Sequence, residues 1–170
     1  MDKQDVNRLW DQIRQKYGVY LRLLDAIPDE AYQTHPVAGI RTPAEMVAHV
    51  SGSVLRDVAR GVAEGEIRSD ESVEPEVARG ITDRAAATAF ALECWDEAAR
   101  AVEGMGDEEL SAIVPTPWGM AFPGWVGFHV MNDELLHHRG QLFAYARLLG
   151  VEPPFIYGYE DNPPGFGPAA

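Results

Sequence analysis

Two residue types that bind metal ions lie close together near the C-terminal end of the chain. Glu134 and His138 are four positions apart, with His137 beside them, inside a segment that has helical periodicity. Side chains four apart on a helix are neighbours. Imidazole nitrogens and carboxylate oxygens are both ligands of zinc and similar cations. The segment therefore predicts half of a metal site, and a metal-free hydrogen bond between Glu134 and His138 is the alternative.

A helical wheel places this pair on the inward side of the helix. With about 100° per residue, His138 lies at the centre of an apolar stripe and Glu134 lies about 40° to one side. His137 falls at the edge of the stripe, and His129 falls on the opposite side. The stripe contains Met131, Leu135, Leu142, Tyr145 and Leu149. A buried carboxylate is costly unless it meets a cation, a proton or a donor, so the pair favours a metal or a satisfied ion pair.

A third ligand must come from elsewhere in the chain, where His35 and His49 remain. His35 precedes a proline in a predicted loop. His49 lies in the middle of a predicted helix, but the centre of that helix's apolar arc is more than about 90° away from it. Periodicity therefore predicts that His49 is exposed to solvent. Such a position still suits a ligand that lines a cleft between two helices.

The elements that must hold these residues are four long helices, predicted at about 5–25, 42–65, 82–104 and 123–150. The second begins with a cap residue, Thr42, followed by a proline at the first helical position. The fourth ends at Gly150, as helices often do. Four long helices without convincing strand alternation predict an all-α fold, a four-helix bundle.

Three further segments connect or follow the helices. Residues 66–80 are charged, which predicts a long, mobile crossover. Residues 113–123 are predicted to form a short hairpin or an ordered loop. The segment 151–170 is rich in Pro, Gly and aromatic residues and is predicted to pack in an extended form on the bundle. The whole chain, residues 1–170, fits one domain.

Composition excludes several classes of function. The formal net charge is −13, so nucleic acid and anionic membranes are not expected partners. No stretch has the length of a membrane span, and the polar N-terminus has no apolar signal region. The single cysteine, Cys94, allows no internal disulfide and suits the reducing cytoplasm. Its apolar helical surroundings predict a buried structural thiol.

Three segments, 42–50, 128–142 and 148–154, resemble the DinB-like family. The run His-His-Arg-Gly-Gln-Leu at 137–142 is the most specific of these matches. The family comprises bacterial damage-inducible-type four-helix proteins related to mycothiol-dependent maleylpyruvate isomerases and bacillithiol transferases. The resemblance implies an up-down-down-up bundle, often a homodimer, with a divalent metal held by three side chains at one end of a cleft.

The resemblance also implies which residues hold the metal. The family's first histidine matches His49, and its last matches His138. The middle histidine, four residues before the last, is replaced here by Glu134. Zinc and nickel are common in the family. A carboxylate is also a competent zinc ligand, and it hardens the donor set in a way that favours manganese or iron.

The residues next to this motif have expected supporting roles. His137, Arg139 and Gln141 are candidates for orienting the ligands or binding an anion. Arg139 and Gln141 have ordinary alternatives, a surface salt bridge and a solvated amide. Gly140 is predicted to allow close approach of a neighbouring helix.

These features lead to one expected function and two alternatives. The first is a metal-dependent transferase that joins a low-molecular-weight thiol to a small electrophile. The alternatives are a non-catalytic stress-response or ligand-binding bundle with a vestigial site, and a metal-dependent hydrolase. A nuclease is not expected, because the chain has no basic stripe and no paired inward carboxylates.

Overall fold

The computed structural model describes residues 1–168, and helices dominate it. The α-helices are α1 (Lys3–Ala26), α2 (Pro43–Val47), α3 (Asp57–Glu64), α4 (Glu74–Gly80), α5 (Arg84–Gly104), α6 (Asp107–Ser111) and α7 (Gly124–Leu148). A π-helical segment (Ala48–Arg56) joins α2 to α3, and these three pieces form the second long helix. Short 3-10 turns lie at Asp29–Ala31, Glu71–Val73 and Tyr159–Asp161. The four predicted long helices are confirmed, each end within two residues of its predicted position.

Side-chain caps account for where these helices begin. The Asp2 carboxylate accepts a hydrogen bond from Asp5 N at the start of α1. Thr42 and Glu45 form a reciprocal capping box at the start of α2. Asp83 caps α5 in the same way as Asp2 caps α1. Such caps satisfy backbone N–H groups that have no partner within the helix, so the chain can enter each helix at a defined residue.

Contacts between the start of one helix and the end of another show the relative direction of α1 and α5, and of α7 and the second long helix. The Lys3 ammonium at the start of α1 donates to the Val102 carbonyl near the end of α5, 2.6 Å away. The Tyr145 hydroxyl near the end of α7 donates to the Arg41 carbonyl just before α2, 3.1 Å away. Helix α1 is therefore antiparallel to α5, and α7 is antiparallel to the second long helix.

The second long helix and α5 instead run in the same direction. Arg56 Nη1 lies 3.8 Å from Cys94 Sγ, and Arg60 Nη1 lies 3.3 Å from Glu97 Oε2, so positions rise together along both helices. The bundle is therefore up-down-down-up, as predicted. A parallel pair requires the chain to return along the bundle, which explains the long connection between these two helices.

This connection is more ordered than predicted. Residues 66–80 contain a 3-10 turn and α4, which packs against α2 and the π-helical segment. The side-chain amide of Gln33 donates to the carbonyls of Ala78 and Ile81, both at 2.8 Å. The predicted long crossover is thus confirmed, and it contains a helix too short to show clear periodicity, which folds against the bundle.

The segment 113–123 forms the hairpin that was one of its two predicted forms. Strands β1 (Ile113–Pro115) and β2 (Ala121–Pro123) are antiparallel, with Val114 opposite Phe122. Gly119 in the turn has φ of 76°, in the left-handed region that glycine adopts without strain. The hairpin leads directly into α7.

Close approach of α7 to the second long helix occurs near the start of α7. A Cβ atom on Gly127 would lie 2.9 Å from a methyl group of Val62 in the second long helix. Helix α6 also approaches the start of α7 closely, since a Cβ atom on Gly124 would lie 2.5 Å from the Glu109 carbonyl oxygen. Apart from the backbone of its own helix, nothing in residues 1–168 lies within 4 Å of a Cβ placed on Gly140. The predicted role of Gly140 in close packing is therefore wrong.

Aromatic rings join the tail to the core. Trp95 of α5 stacks on Trp10 of α1 at 4.6 Å, and Phe166 of the tail meets Trp95 at 5.2 Å. Phe166 is 6% exposed, so this part of the tail packs on the bundle as predicted. Phe155 and Tyr157 instead remain largely exposed, against that prediction. Within residues 1–168, no helix is long and apolar enough to cross a membrane.

Replacing Phe166 by alanine tests the contribution of the docked tail. Removing a buried ring costs about 3–5 kcal/mol, and a tail that can detach favours the lower end. We expect Phe166→Ala to lower the free energy of unfolding in urea by about 3 kcal/mol. The matched control, Phe155→Ala, removes an exposed ring from the same tail and should change stability by less than about 0.5 kcal/mol. Equal effects of the two changes would contradict the packing described here.

Candidate metal centre

The structure brings the three sequence-predicted ligand candidates together. His49 lies in the π-helical segment, and Glu134 and His138 lie on α7. Ligand atoms of the three side chains all lie within 4.8 Å of one another. The His49 and His138 rings meet edge to face, with centroids 4.8 Å apart. The antiparallel pairing of the two helices thus joins a residue from each into one cluster.

The α7 half of the cluster has a defined hydrogen-bond pattern. His138 Nε2 lies 3.1 Å from Glu134 Oε2, as expected for positions one turn apart. His138 Nδ1 lies 2.9 Å from Gln141 Oε1, and the amide nitrogen of Gln141 lies 3.2 Å from His137 Nε2. Gln141 therefore bridges the two histidines, and both Gln141 and His137 lie beside the cluster, while their supporting role stays a prediction.

His49 is 8% exposed, so the sequence-based prediction that it faces solvent is wrong. Two structural features explain the difference. In a π-helix each hydrogen bond spans five residues instead of four, so a wheel with a 3.6-residue period misplaces the side chains of this segment. Helix α4 also covers this side, and its Glu74 Oε1 lies 2.8 Å from His49 Nδ1.

Glu74 is the functional candidate that sequence analysis missed. It is 8% exposed, and its second carboxylate oxygen lies 3.8 Å from Arg41 Nη2. The charged crossover contains several acidic residues, and nothing in their spacing distinguishes this one. The start of α4, with a proline directly after Glu74, was the available signal for an ordered segment here.

The donor set fits a divalent cation. A neutral imidazole carries one proton, and His49 Nδ1 faces an oxygen of Glu74, so a proton there leaves Nε2 available as a ligand. Both ring nitrogens of His138 face oxygens, Nδ1 that of Gln141 and Nε2 that of Glu134, so a cation bound between Nε2 and Glu134 would require the proton on Nδ1. Metal–ligand bonds of about 2.0–2.2 Å put neighbouring ligands about 3–3.5 Å apart. The 3.1 Å between His138 Nε2 and Glu134 Oε2 falls in this range.

The cluster lines an open cleft of about 650 Å³. This volume is typical of small-molecule sites. The hairpin contributes one apolar wall through Trp118, Met120 and Phe122. The helices contribute valines, and Arg41 and Glu71 add charged groups at the crossover side. Trp118 and Met120 are 42% and 61% exposed, so a bound molecule can cover their apolar surface.

A model of the DinB superfamily matches residues 12–142, which is most of the chain. The protein belongs to the DinB superfamily. No curated protein matches the chain. The family assignment agrees with the bundle topology and with the resemblance found in the sequence.

Solved structures of other proteins share this DinB fold. A DinB-like protein from Bacillus cereus ATCC 10987 superposes with a TM-score of 0.68 at 18% identity, over 88% of this chain and 95% of that chain. A mycothiol-dependent maleylpyruvate isomerase gives 0.67 at 16% identity, over 84% of this chain and 63% of that one. YfiT from Bacillus subtilis, described as "a probable metal-dependent hydrolase with an unusual four-helix bundle topology", gives 0.65 at 18%, over 88% and 90%.

Arg139 lies on another side of α7 in this DinB bundle. The charged and phenolic groups that act on it are Lys16 of α1 and Tyr157 and Tyr159 of the tail. Its guanidinium is buried, which lowers the Arg139 pKa, and Nη1 has no hydrogen-bond partner among residues 1–168. The structure therefore does not bring Arg139 to the ligand cluster, and its predicted supporting role there is wrong.

Burial decides the protonation of two further side chains. It lowers the pKa of His138, and nearby His49 acts in the same direction, while the Gln141 hydrogen bond and Glu134 oppose the shift. Burial raises the pKa of Cys94 to about 12. Cys94 is thus a protonated, structural thiol at neutral pH, as predicted.

The lowered pKa of His138 predicts a pH dependence of stability in the metal-free protein. The unfolded chain takes up a proton on this histidine more readily than the folded chain does. The contribution is therefore fully present above a pH of about 6.5 and is lost as the pH falls below that value. We expect His138→Gln to lose less stability than the wild type between pH of about 7.5 and about 5 in urea titrations.

The control for this measurement is His129→Gln, which changes an exposed histidine on the same helix. This variant should keep the wild-type pH dependence. If His138→Gln and the wild type lose equal stability on acidification, burial does not depress the pKa of His138.

Proposed function

We propose that this DinB-superfamily protein binds one divalent metal ion through His49, Glu134 and His138 and transfers a low-molecular-weight thiol to a small electrophile. The observation that carries the proposal is the convergence of two buried imidazoles and a partly exposed carboxylate on an open cleft. His49 has its Nδ1 against Glu74, so its Nε2 is available to the cation, and His138 Nε2 and Glu134 Oε2 face each other at 3.1 Å, where the cation would lie between them. The candidate metals are zinc, nickel, manganese and iron.

A bound divalent cation lowers the pKa of a thiol or water molecule and so supplies a nucleophile near neutral pH. The protein side chains supply positioning and a partly apolar environment. Glu134 is the most exposed of the three candidate ligands, with 43% of its side chain accessible, so the centre faces the cleft. Trp118, Met120 and Phe122 can hold an apolar substrate against this face and exclude water from it.

The thiol must come from a second substrate in this proposal. Cys94 is the one cysteine of the chain, and it is buried and protonated. It also does not line the cleft. The likeness to a mycothiol-dependent isomerase, at 16% identity, is a likeness of fold. A protein of this fold that depends on an external thiol supports the proposal of one here.

A second candidate function is metal-dependent hydrolysis, in which water takes the place of the thiol. The likeness to YfiT, with its described hydrolase function, favours this candidate. The same ligands and cleft serve both reactions. A non-catalytic ligand-binding role also remains as an alternative, and the homodimer and the cytoplasmic location stay predictions.

Elemental analysis of untagged protein tests the metal proposal. We expect close to one divalent metal ion per chain, and we expect His49→Ala, Glu134→Ala and His138→Ala each to remove it, because each deletes one ligand. The control His129→Ala should retain the metal, since His129 is exposed and lies outside the cluster. Protein that holds no stoichiometric metal after incubation with zinc, nickel, manganese or iron would refute the proposal.

A substrate panel distinguishes transfer from hydrolysis. We expect the metal-loaded protein to consume thiol in the presence of small model electrophiles, and Glu134→Ala to abolish this consumption because the metal is lost. The same protein is assayed in parallel on model esters and amides without thiol. Hydrolysis without thiol consumption would favour the second candidate, and neither activity would favour the non-catalytic role.

A further inference from the structure

Helix α4 places a buried carboxylate against the metal centre from outside the ligand set. Glu74 Oε1 lies 2.8 Å from His49 Nδ1, and both residues are 8% exposed. The other oxygen of Glu74 faces Arg41 Nη2 at 3.8 Å. Burying a carboxylate at this place is unfavourable unless donors compensate for the lost water, so the two contacts give Glu74 a defined orientation.

The hydrogen bond determines which nitrogen of His49 faces the cluster. An ionised carboxylate accepts hydrogen bonds and cannot donate them, so Glu74 favours the ring form that carries its proton on Nδ1. Nε2 is then unprotonated and available as the ligand. Metal on Nε2 withdraws electron density from the ring, which makes Nδ1–H a better donor to Glu74. Metal binding and the Glu74 contact therefore strengthen each other.

This contact also connects the centre to the shape of the cleft. Arg41 and Glu71 line both the cleft of about 650 Å³ and a neighbouring cleft of about 430 Å³, and Glu74 lines the smaller one. Arg41, which contacts Glu74, and Glu71, three residues before it, therefore connect the start of α4 to the wall of the larger cleft.

We infer that Glu74 is the positioning residue of the metal centre, which presents His49 Nε2 to the cation and couples metal binding to the docking of α4. The inference rests on the metal binding proposed above. It assigns a function to the crossover that follows from its contact with His49. By thermodynamic reciprocity, metal that stabilises the docked helix is itself held more tightly when that helix is docked.

The test compares two substitutions on the same helix. Glu74→Ala removes the buried carboxylate, and Glu76→Ala removes an exposed one, so both change the net charge equally. Zinc, nickel and manganese are titrated against a chromophoric chelator into the metal-free full chain. We expect Glu74→Ala to weaken binding of the preferred cation about 10- to 100-fold. Glu76→Ala should bind as the wild type does.

Two further measurements separate positioning from a loss of packing. Glu74→Gln keeps an oxygen that can accept the Nδ1 proton, so it should recover part of the lost affinity. In hydrogen exchange, metal should slow the backbone amides of residues 76–80 in the wild type and in Glu76→Ala. It should have no such effect in Glu74→Ala.

The tautomer of His49 gives a reading that requires no variant. Nitrogen-15 NMR of the metal-free wild type should show the ring protonated on Nδ1. A ring protonated on Nε2 alone, or equal metal affinity of Glu74→Ala and Glu76→Ala, would overturn the inference and leave the proposed function intact. A wild type that binds none of these three cations and no iron either would overturn the inference together with the metal-dependent function.

Discussion

The buried meeting of His49 with His138 is the contact on which the rest of the site depends. Two imidazoles in a helical core cannot be left without partners, because each polar atom loses water there. Glu74 and Gln141 meet the two Nδ1 atoms, and the partly exposed Glu134 lies against His138 Nε2. The proposed cation would lie among His49, Glu134 and His138.

The topology of the bundle supplies the partner that this contact requires. Because the second long helix and α5 are parallel, the chain must cross the bundle between them, and the crossover carries α4 over His49. The antiparallel pairing of α7 with the second long helix places His49 opposite His138. The hairpin before α7 then forms the apolar wall of the cleft in front of the centre.

Sequence analysis predicted the features that depend on local rules. The cap residue Thr42 and the terminal Gly150 located helix ends, and the stripe around His138 placed Glu134 beside it. Predictions were wrong where distant segments or irregular geometry decide the outcome. The π-helical turn breaks the period that predicted an exposed His49, α4 is too short to be recognised by periodicity, and a wheel does not show that α7 presents Arg139 to α1 and the tail.

By itself the sequence determined the four helices, the inward Glu134–His138 pair and the inert nature of Cys94, because each follows from spacing and composition within one segment. The resemblance to the family added His49 as a candidate metal ligand and the up-down-down-up direction of the helices. Tertiary structure alone decided that His49 is buried, that Glu74 orients it, and that Trp118 and Met120 border the cleft. These contacts join residues up to about a hundred positions apart, and no local pattern encodes which of several similar side chains the folded chain brings together.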